Sequence, residues 1–154
     1  MYQFSDFQEC KVDAKGRLMF PAVYRKGMGD ALAEGFVLKR SINSKSLQLF
    51  TKASWDIEKQ KISKLNKYKE AHRNVIRHLM DGVITDIELD SSGRLLLPKD
   101  LLKYAEIEND VTLSPAFDYL EIWNTNNYRS ALEETLPNIS DLVEEALGGT
   151  SENE

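Results

Sequence analysis

The 154-residue chain holds one cysteine, so no disulfide can form within it, a usage that fits a reducing cytoplasm. No apolar run approaches the roughly 18 residues of a membrane span, and no membrane association is expected. Its first residues, Met1 to Asp6, lack the basic and apolar regions of a secretory signal. Missing too are the patterns G-x-x-x-x-G-K-[ST], G-x-S-x-G, H-E-x-x-H and C-x-x-C, which would supply a phosphate cradle, a nucleophile or a metal set. The two histidines, His72 and His78, stand six apart, off the i, i+4 spacing that puts both on one helix face. They are read as ordinary surface or packing residues. No Cys/His spacing suggests zinc, and Cys10 is read as a small buried hydrophobe. Neither catalysis, a metal, a cofactor nor a small-molecule substrate is expected.

A length of 154 residues fits one domain or two very small ones. A half of about 50 residues is near the limit for folding unaided, so related halves would share one core. The net charge of −5 argues weakly against nucleic acid, because its distribution matters more than its sum. From Asn127 to Glu154 one Arg stands against seven Asp and Glu, leaving 19 basic and 18 acidic residues in the rest of the chain. The acidity is concentrated in the tail.

What the chain does contain is a repeat. Asp13-Ala14-Lys15-Gly16-Arg17-Leu18-Met19-Phe20-Pro21 returns 77 residues later as Asp90-Ser91-Ser92-Gly93-Arg94-Leu95-Leu96-Leu97-Pro98. Five of the nine positions are identical, and the two that differ after the Arg are apolar in both copies. A match at one fixed offset marks an internal duplication. Asp followed by Gly reads as a tight turn: the carboxylate can bond the turn's backbone, and Gly allows positive φ. The Arg opens an apolar run short enough for a strand, and the Pro ends it at the first turn of a helix. Each copy thus sets a guanidinium beside a turn, with a carboxylate four residues before it. A lone D-x-x-G-R serves equally well as a salt bridge that pins the turn; two copies suit a surface reading a repeating ligand.

The flanks repeat as well. Phe7 to Val12 and Ile84 to Leu89 read as strands; Pro21 to Lys26, stopped by Gly27 and Gly29, and Pro98 to Ala105 read as helices. Phe36 to Leu38 and Leu47 to Phe50 match Val111 to Leu113 and Leu120 to Trp123, with turns at Asn43–Ser46 and Ser114–Pro115. Each half therefore reads strand, turn, strand, helix, strand, strand. The first carries four extra residues before its last strand. Between the halves, residues 52–80 are helical and basic, with eight Lys and Arg against three acidic residues. Ile57, Ile62, Leu65, Tyr68, Val75, Ile76 and Leu79 form an imperfect apolar stripe, broken near Asn66. Such a basic helix can lie on phosphate, although a solvated face is the commoner cause. The tail holds an acidic helical piece, Asp141 to Leu147, and an end from Gly148 that is expected to fray.

The order D-x-K-G-R-apolar-x-apolar-P in one half, D-x-x-G-R-L-L-L-P in the other, and Glu121-Ile122-Trp123 before the last turn resemble the MraZ family of bacterial transcriptional regulators, over roughly residues 5–130. The resemblance implies an α+β, mainly β fold: two duplicated swapped-hairpin units of the SpoVT-AbrB type form one intrachain pseudo-dimeric barrel, with helices between and after them. Repeat 1 would span 5–55, a helical connector 56–81, repeat 2 82–130 and an acidic tail 131–154. It also implies a ring-forming homo-oligomer in the bacterial cytoplasm, nucleoid-associated, that binds direct repeats in double-stranded DNA upstream of its own division and cell-wall operon as a repressor. Carried over residue by residue, Arg17 and Arg94 become the DNA-binding arginines. Lys15 and Lys11 favour Arg17 as the stronger reader, because Ser91 and Ser92 make the second turn less basic. Asp13, Gly16, Asp90 and Gly93 would shape the turns and orient the arginines. Arg25 faces Leu102 in the alignment, without a basic counterpart. An alternative is a ring-forming interaction scaffold that binds no DNA.

Overall fold

In a computed structural model residues 1–148 are described, so the end expected to fray lies outside the described residues from position 149 onward. The elements follow the duplicated order. The first half gives β1 (Gln8–Lys11), β2 (Arg17–Met19), α1 (Ala22–Met28), a 3-10 turn (Gly29–Glu34), β3 (Phe36–Arg40) and β4 (Leu47–Thr51). Two connector helices, α2 (Lys52–Ser63) and α3 (Glu70–Met80), come next. The second half gives β5 (Ile84–Ile87), β6 (Arg94–Leu96), α4 (Lys99–Tyr104), β7 (Asp110–Pro115) and β8 (Tyr119–Asn124). The 3-10 turn accommodates the extra residues of the first half. No helix among the described residues is long and apolar enough to cross a membrane.

Six strands make one antiparallel sheet in the order β1-β7-β8-β4-β3-β5, and β2 pairs with β6 in a separate two-stranded ribbon. Read from either end, the sheet order is the same under exchange of the two halves. The first strand of each half lies beside the third strand of the other: β1 on β7, β5 on β3. At the centre β4 pairs with β8, Gln48 standing opposite Glu121, its own counterpart in the duplication. In the ribbon Leu18 stands opposite its counterpart Leu95. A pseudo-two-fold axis therefore passes through both pairings.

The core follows from that exchange. Leu18, Phe20, Tyr24, Phe36, Leu38, Leu47 and Leu49 of the first half are fully buried in one cluster with Leu95, Leu97, Leu101, Leu113, Leu120 and Ile122 of the second. Alternation along β8 shows why: Leu120 and Ile122 point into the core while Tyr119 and Glu121 stay half-exposed on the other face. Cys10 packs at the rim of this cluster, and burial pushes its thiol up to about 11. On the far face Trp55 of α2 packs edge-on against Phe50, ring centroids 5.4 Å apart. Helix α2 starts directly after β4, where the Thr51 hydroxyl accepts the Ser54 N–H at 3.1 Å and caps the first turn.

Three sequence expectations shift. Gly27 does not stop α1, which continues to Met28 and ends at Gly29 with φ of 56°. Gly27 instead makes room for Tyr2, whose ring would lie 2.8 Å from a Cβ at that position. The turn expected at Ser114–Pro115 comes later: β7 runs through Pro115 and the chain reverses at residues 116–118, with Phe117 at φ 64°. Of the connector's apolar stripe only Ile62 is buried; Ile57, Tyr68 and Val75 are exposed, Tyr68 at 96%. Helix α3 buries none of its residues. The break falls near Asn66 as expected, and there His72 Nδ1 accepts the Asn66 N–H at 2.9 Å.

Contacts divide the chain into a unit of Met1–Asn124, holding the eight strands of the described residues, and a helical unit from Thr125 on. The second contains α5 (Thr125–Thr135), α6 (Ile139–Val143) and a π-type turn (Glu144–Gly148).

Candidate nucleic-acid interface

The two Asp–Arg turns fold identically. Asp13 donates its N–H to the Arg17 carbonyl at 2.9 Å and accepts the Gly16 N–H at 3.0 Å; Asp90 repeats both bonds with Arg94 and Gly93, each at 2.9 Å. Asp13 Oδ1 accepts the Lys15 and Arg17 backbone N–H groups at 2.9 Å, and Oδ2 accepts Arg17 Nε–H at 2.9 Å. In the second turn Asp90 Oδ1 accepts from Ser92 and Arg94, and Oδ2 from Arg94 Nε at 3.0 Å. The backbone N–H of Arg17 leads the groups that hold the Asp13 carboxyl below the usual carboxylate range, and that of Arg94 does the same for Asp90. Both carboxylates stay ionised and act as turn formers, which suits neither to serve as a general acid.

Gly16 and Gly93 have φ of 85° and 82°, the left-handed region where a Cβ is costly. Each turn also rests on the opposite half. The Gly16 carbonyl accepts the Leu97 N–H at 2.8 Å, and the Gly93 carbonyl accepts the Phe20 N–H at 3.0 Å.

The ribbon between the turns sets the direction of the arginines. Leu18 and Leu95 face the core, so by the period of two Arg17, Met19, Arg94 and Leu96 share the outer face. Arg17 stands opposite Leu96, and Arg94 opposite Met19. The arginine side chains are 29% and 32% exposed, and each has one bond to its own turn's Asp. Their terminal guanidinium nitrogens make no hydrogen bond or ion pair among the described residues. Neither turn is packed inside the protein. Met19 and Leu96 are 48% and 54% exposed, a large apolar surface to leave in water between two cations.

The remaining basic site residues are exposed as well. Lys15 is exposed in the first turn. Lys11, at the end of edge strand β1, is exposed and reaches Asp110 Oδ1 at only 4.0 Å. Sequence reasoning missed Met19 and Leu96, although the alternation about Leu18 and Leu95 carries that signal. It also left Arg25 without a place. Its Nη1 comes within 2.9 Å of where a Cβ on Gly93 would stand, a contact between halves that no local pattern encodes.

Among the described residues no group of three or more His, Cys, Asp or Glu is placed to hold a metal ion. The outer face can form hydrogen bonds to an acceptor-rich ligand, attract negative charge and cover apolar groups.

Residues 4–78 and 83–148 match the family model described as "MraZ protein, putative antitoxin-like". The chain is 42% identical over 146 residues to a protein of Flavobacterium psychrophilum named transcriptional regulator MraZ, covering 95% of this chain and 92% of that one. A protein of the same name from Cytophaga hutchinsonii is 35% identical over 147 residues, covering 96% of each. Another from Legionella pneumophila is 34% identical over 133 residues, covering 86% and 87%. With both halves matched and relatives aligned over nearly their whole length, the chain belongs to the MraZ family.

Proposed function

We propose that the chain is a DNA-binding transcriptional regulator that reads duplex DNA with the outer face of the β2–β6 ribbon. One observation carries the reading: two Asp-braced arginines share an exposed ribbon face, related by the pseudo-two-fold axis, with their terminal nitrogens unspent. The major groove admits a two-stranded β-ribbon, and an Arg fork fits guanine O6 and N7. Lys15 and Lys11 add sequence-independent attraction to phosphate. Met19 and Leu96 would lie against base or sugar edges between the two guanidinium groups. Asp13 and Asp90 orient the turns and stay off the DNA, where a carboxylate is repelled. The relatives are named as transcriptional regulators, a class without catalytic chemistry.

The finer reading is a repressor acting on direct repeats upstream of its own division and cell-wall operon, in the cytoplasm at the nucleoid. Direct repeats suit subunits joined head to tail, as in a ring, whereas a two-fold dimer calls for a palindrome. The ribbon would close the six-stranded sheet into a swapped-hairpin barrel built from repeats at 5–55 and 82–130, with 56–81 as connector and 131–154 as acidic tail.

Fluorescence anisotropy with a labelled duplex from the chain's own upstream region tests this. Binding should weaken with salt. Arg17→Ala should lose roughly 1–3 kcal/mol of discrimination against an unrelated duplex, and Arg94→Ala less. Unchanged affinity and discrimination in the Arg17 variant would remove the site from that ribbon face. The second reading, a ring-forming scaffold without DNA, draws on the exposed Val75 and Met80 of α3, a helix with no buried residue. On that reading the Arg variants shrink the assembly in light scattering and no duplex binds.

A further inference from the structure

The two turns carry different residues, and the differences offset one another. Lys15 of the first turn corresponds to Ser92 of the second, and Leu102 beside the first corresponds to Arg25 beside the second. Each of these flanking residues comes from the opposite half. A Cβ on Gly16 would meet Leu102 Cδ1 at 2.9 Å, and a Cβ on Gly93 would meet Arg25 Nη1 at the same 2.9 Å. The first turn thus has its second cation within the loop and a leucine at its flank. The second has serines within the loop and a cation at its flank.

Arg25 is unspent. Its Nε is buried without a hydrogen-bond partner, and its terminal nitrogens make no hydrogen bond or ion pair among the described residues. A cavity of about 530 Å³ opens beside it, lined also by Asp30, Glu88 and the second turn. Neither Asp30 nor Glu88 forms an ion pair with it. Helix α1 holds the guanidinium over Gly93 and next to Met19, whose Sδ lies 3.7 Å from the same Cβ position. That places the cation at the border of the ribbon face.

We propose that Arg25 is the phosphate-contacting cation of the second turn, supplied by the first half to replace the lysine that the second turn lacks. The ligand group is a phosphodiester of duplex DNA flanking the bases that Arg94 reaches. This rests on the duplex-binding reading above. It also narrows the difference in phosphate attraction drawn from loop residues alone, because each turn then presents two cations. Phosphate contacts position a protein and carry no base information, so Arg25 differs in role from Arg17 and Arg94.

The test is the dependence of duplex affinity on salt, measured by anisotropy with the full chain. Arg25→Leu copies the arrangement that the fold already holds at Leu102. It should lower affinity for specific and unrelated duplexes alike and reduce the slope of log affinity against log salt by roughly 0.9. Adding Ser92→Lys gives the second turn the lysine and flanking leucine of the first and should restore the slope. Arg25→Lys, which keeps the charge, should retain it and serves if the leucine variant does not fold. An unchanged slope in Arg25→Leu, no recovery with Ser92→Lys, or a slope lost in Arg25→Lys overturns the proposal while leaving the parent reading intact. If the wild type binds no duplex, both fall; if Arg17→Ala abolishes specific binding and Arg25→Leu changes nothing, only this one does.

Discussion

At the scale of single residues, a carboxylate oxygen decides the shape of each turn and a missing Cβ permits it. The carboxylates of Asp13 and Asp90 accept three N–H groups apiece, so their folded pKa values lie below those of an unfolded chain. The sign follows: their contribution is complete above the unfolded value of roughly 4 and is lost as pH falls through the lowered folded value. NMR titration of the side-chain carboxyls should show both protonating below the ordinary Asp range, and an ordinary midpoint at either would mean that turn's bonds are absent in solution. The glycines should differ. Alanine at Gly16 or Gly93 costs about 1–2 kcal/mol for the left-handed backbone. At Gly16 the new Cβ also meets the Leu97 carbonyl oxygen at 2.7 Å, whereas at Gly93 it meets the movable end of Arg25. Denaturant midpoints should therefore place Gly16→Ala below Gly93→Ala. These turns were legible in the sequence because Asp, Gly and Arg interact across four residues.

At the scale of elements, the ribbon is three residues per strand and could not persist alone. Leu18 and Leu95, opposite each other and buried, hold it to the core. Truncating either to Ala should cost roughly 2–5 kcal/mol, read from urea unfolding, and should weaken duplex binding through loss of the ribbon's position. The outer residues should behave oppositely. Met19→Gln with Leu96→Gln should leave the denaturant midpoint nearly unchanged and reduce discrimination between duplexes at an unaltered salt slope. A fall in stability without any binding change would assign the pair to packing. The helices after each turn and in the connector were legible from proline position and apolar spacing, whereas α5 was not assigned from the sequence. The end of α1 was not legible, because Gly27 answers to Tyr2 across the fold and its helix propensity loses to that contact.

At the scale of the whole molecule, the halves are not separable. Each lends its first strand to the other's sheet edge and its turn carbonyl to the other's backbone, and the fully buried leucines of both fill one cluster. A fragment of residues 1–81 should lack a strand beside β3 and a partner for β2. Expressed alone, it should be unfolded by circular dichroism or should pair with a second copy in size-exclusion chromatography. A stable folded monomer of that fragment would contradict the exchange.

The amino-acid order determined the duplication, the two turns and the alternating strands, because each depends on residues within about four positions or on a repeat visible at one offset. Tertiary structure alone decided that the turns share a face, that Arg25 of one half stands over Gly93 of the other, and that of the connector's apolar stripe only Ile62 is buried. Those outcomes depend on how strands from opposite halves align about the pseudo-two-fold axis, and periodicity within a segment holds no information about its partner.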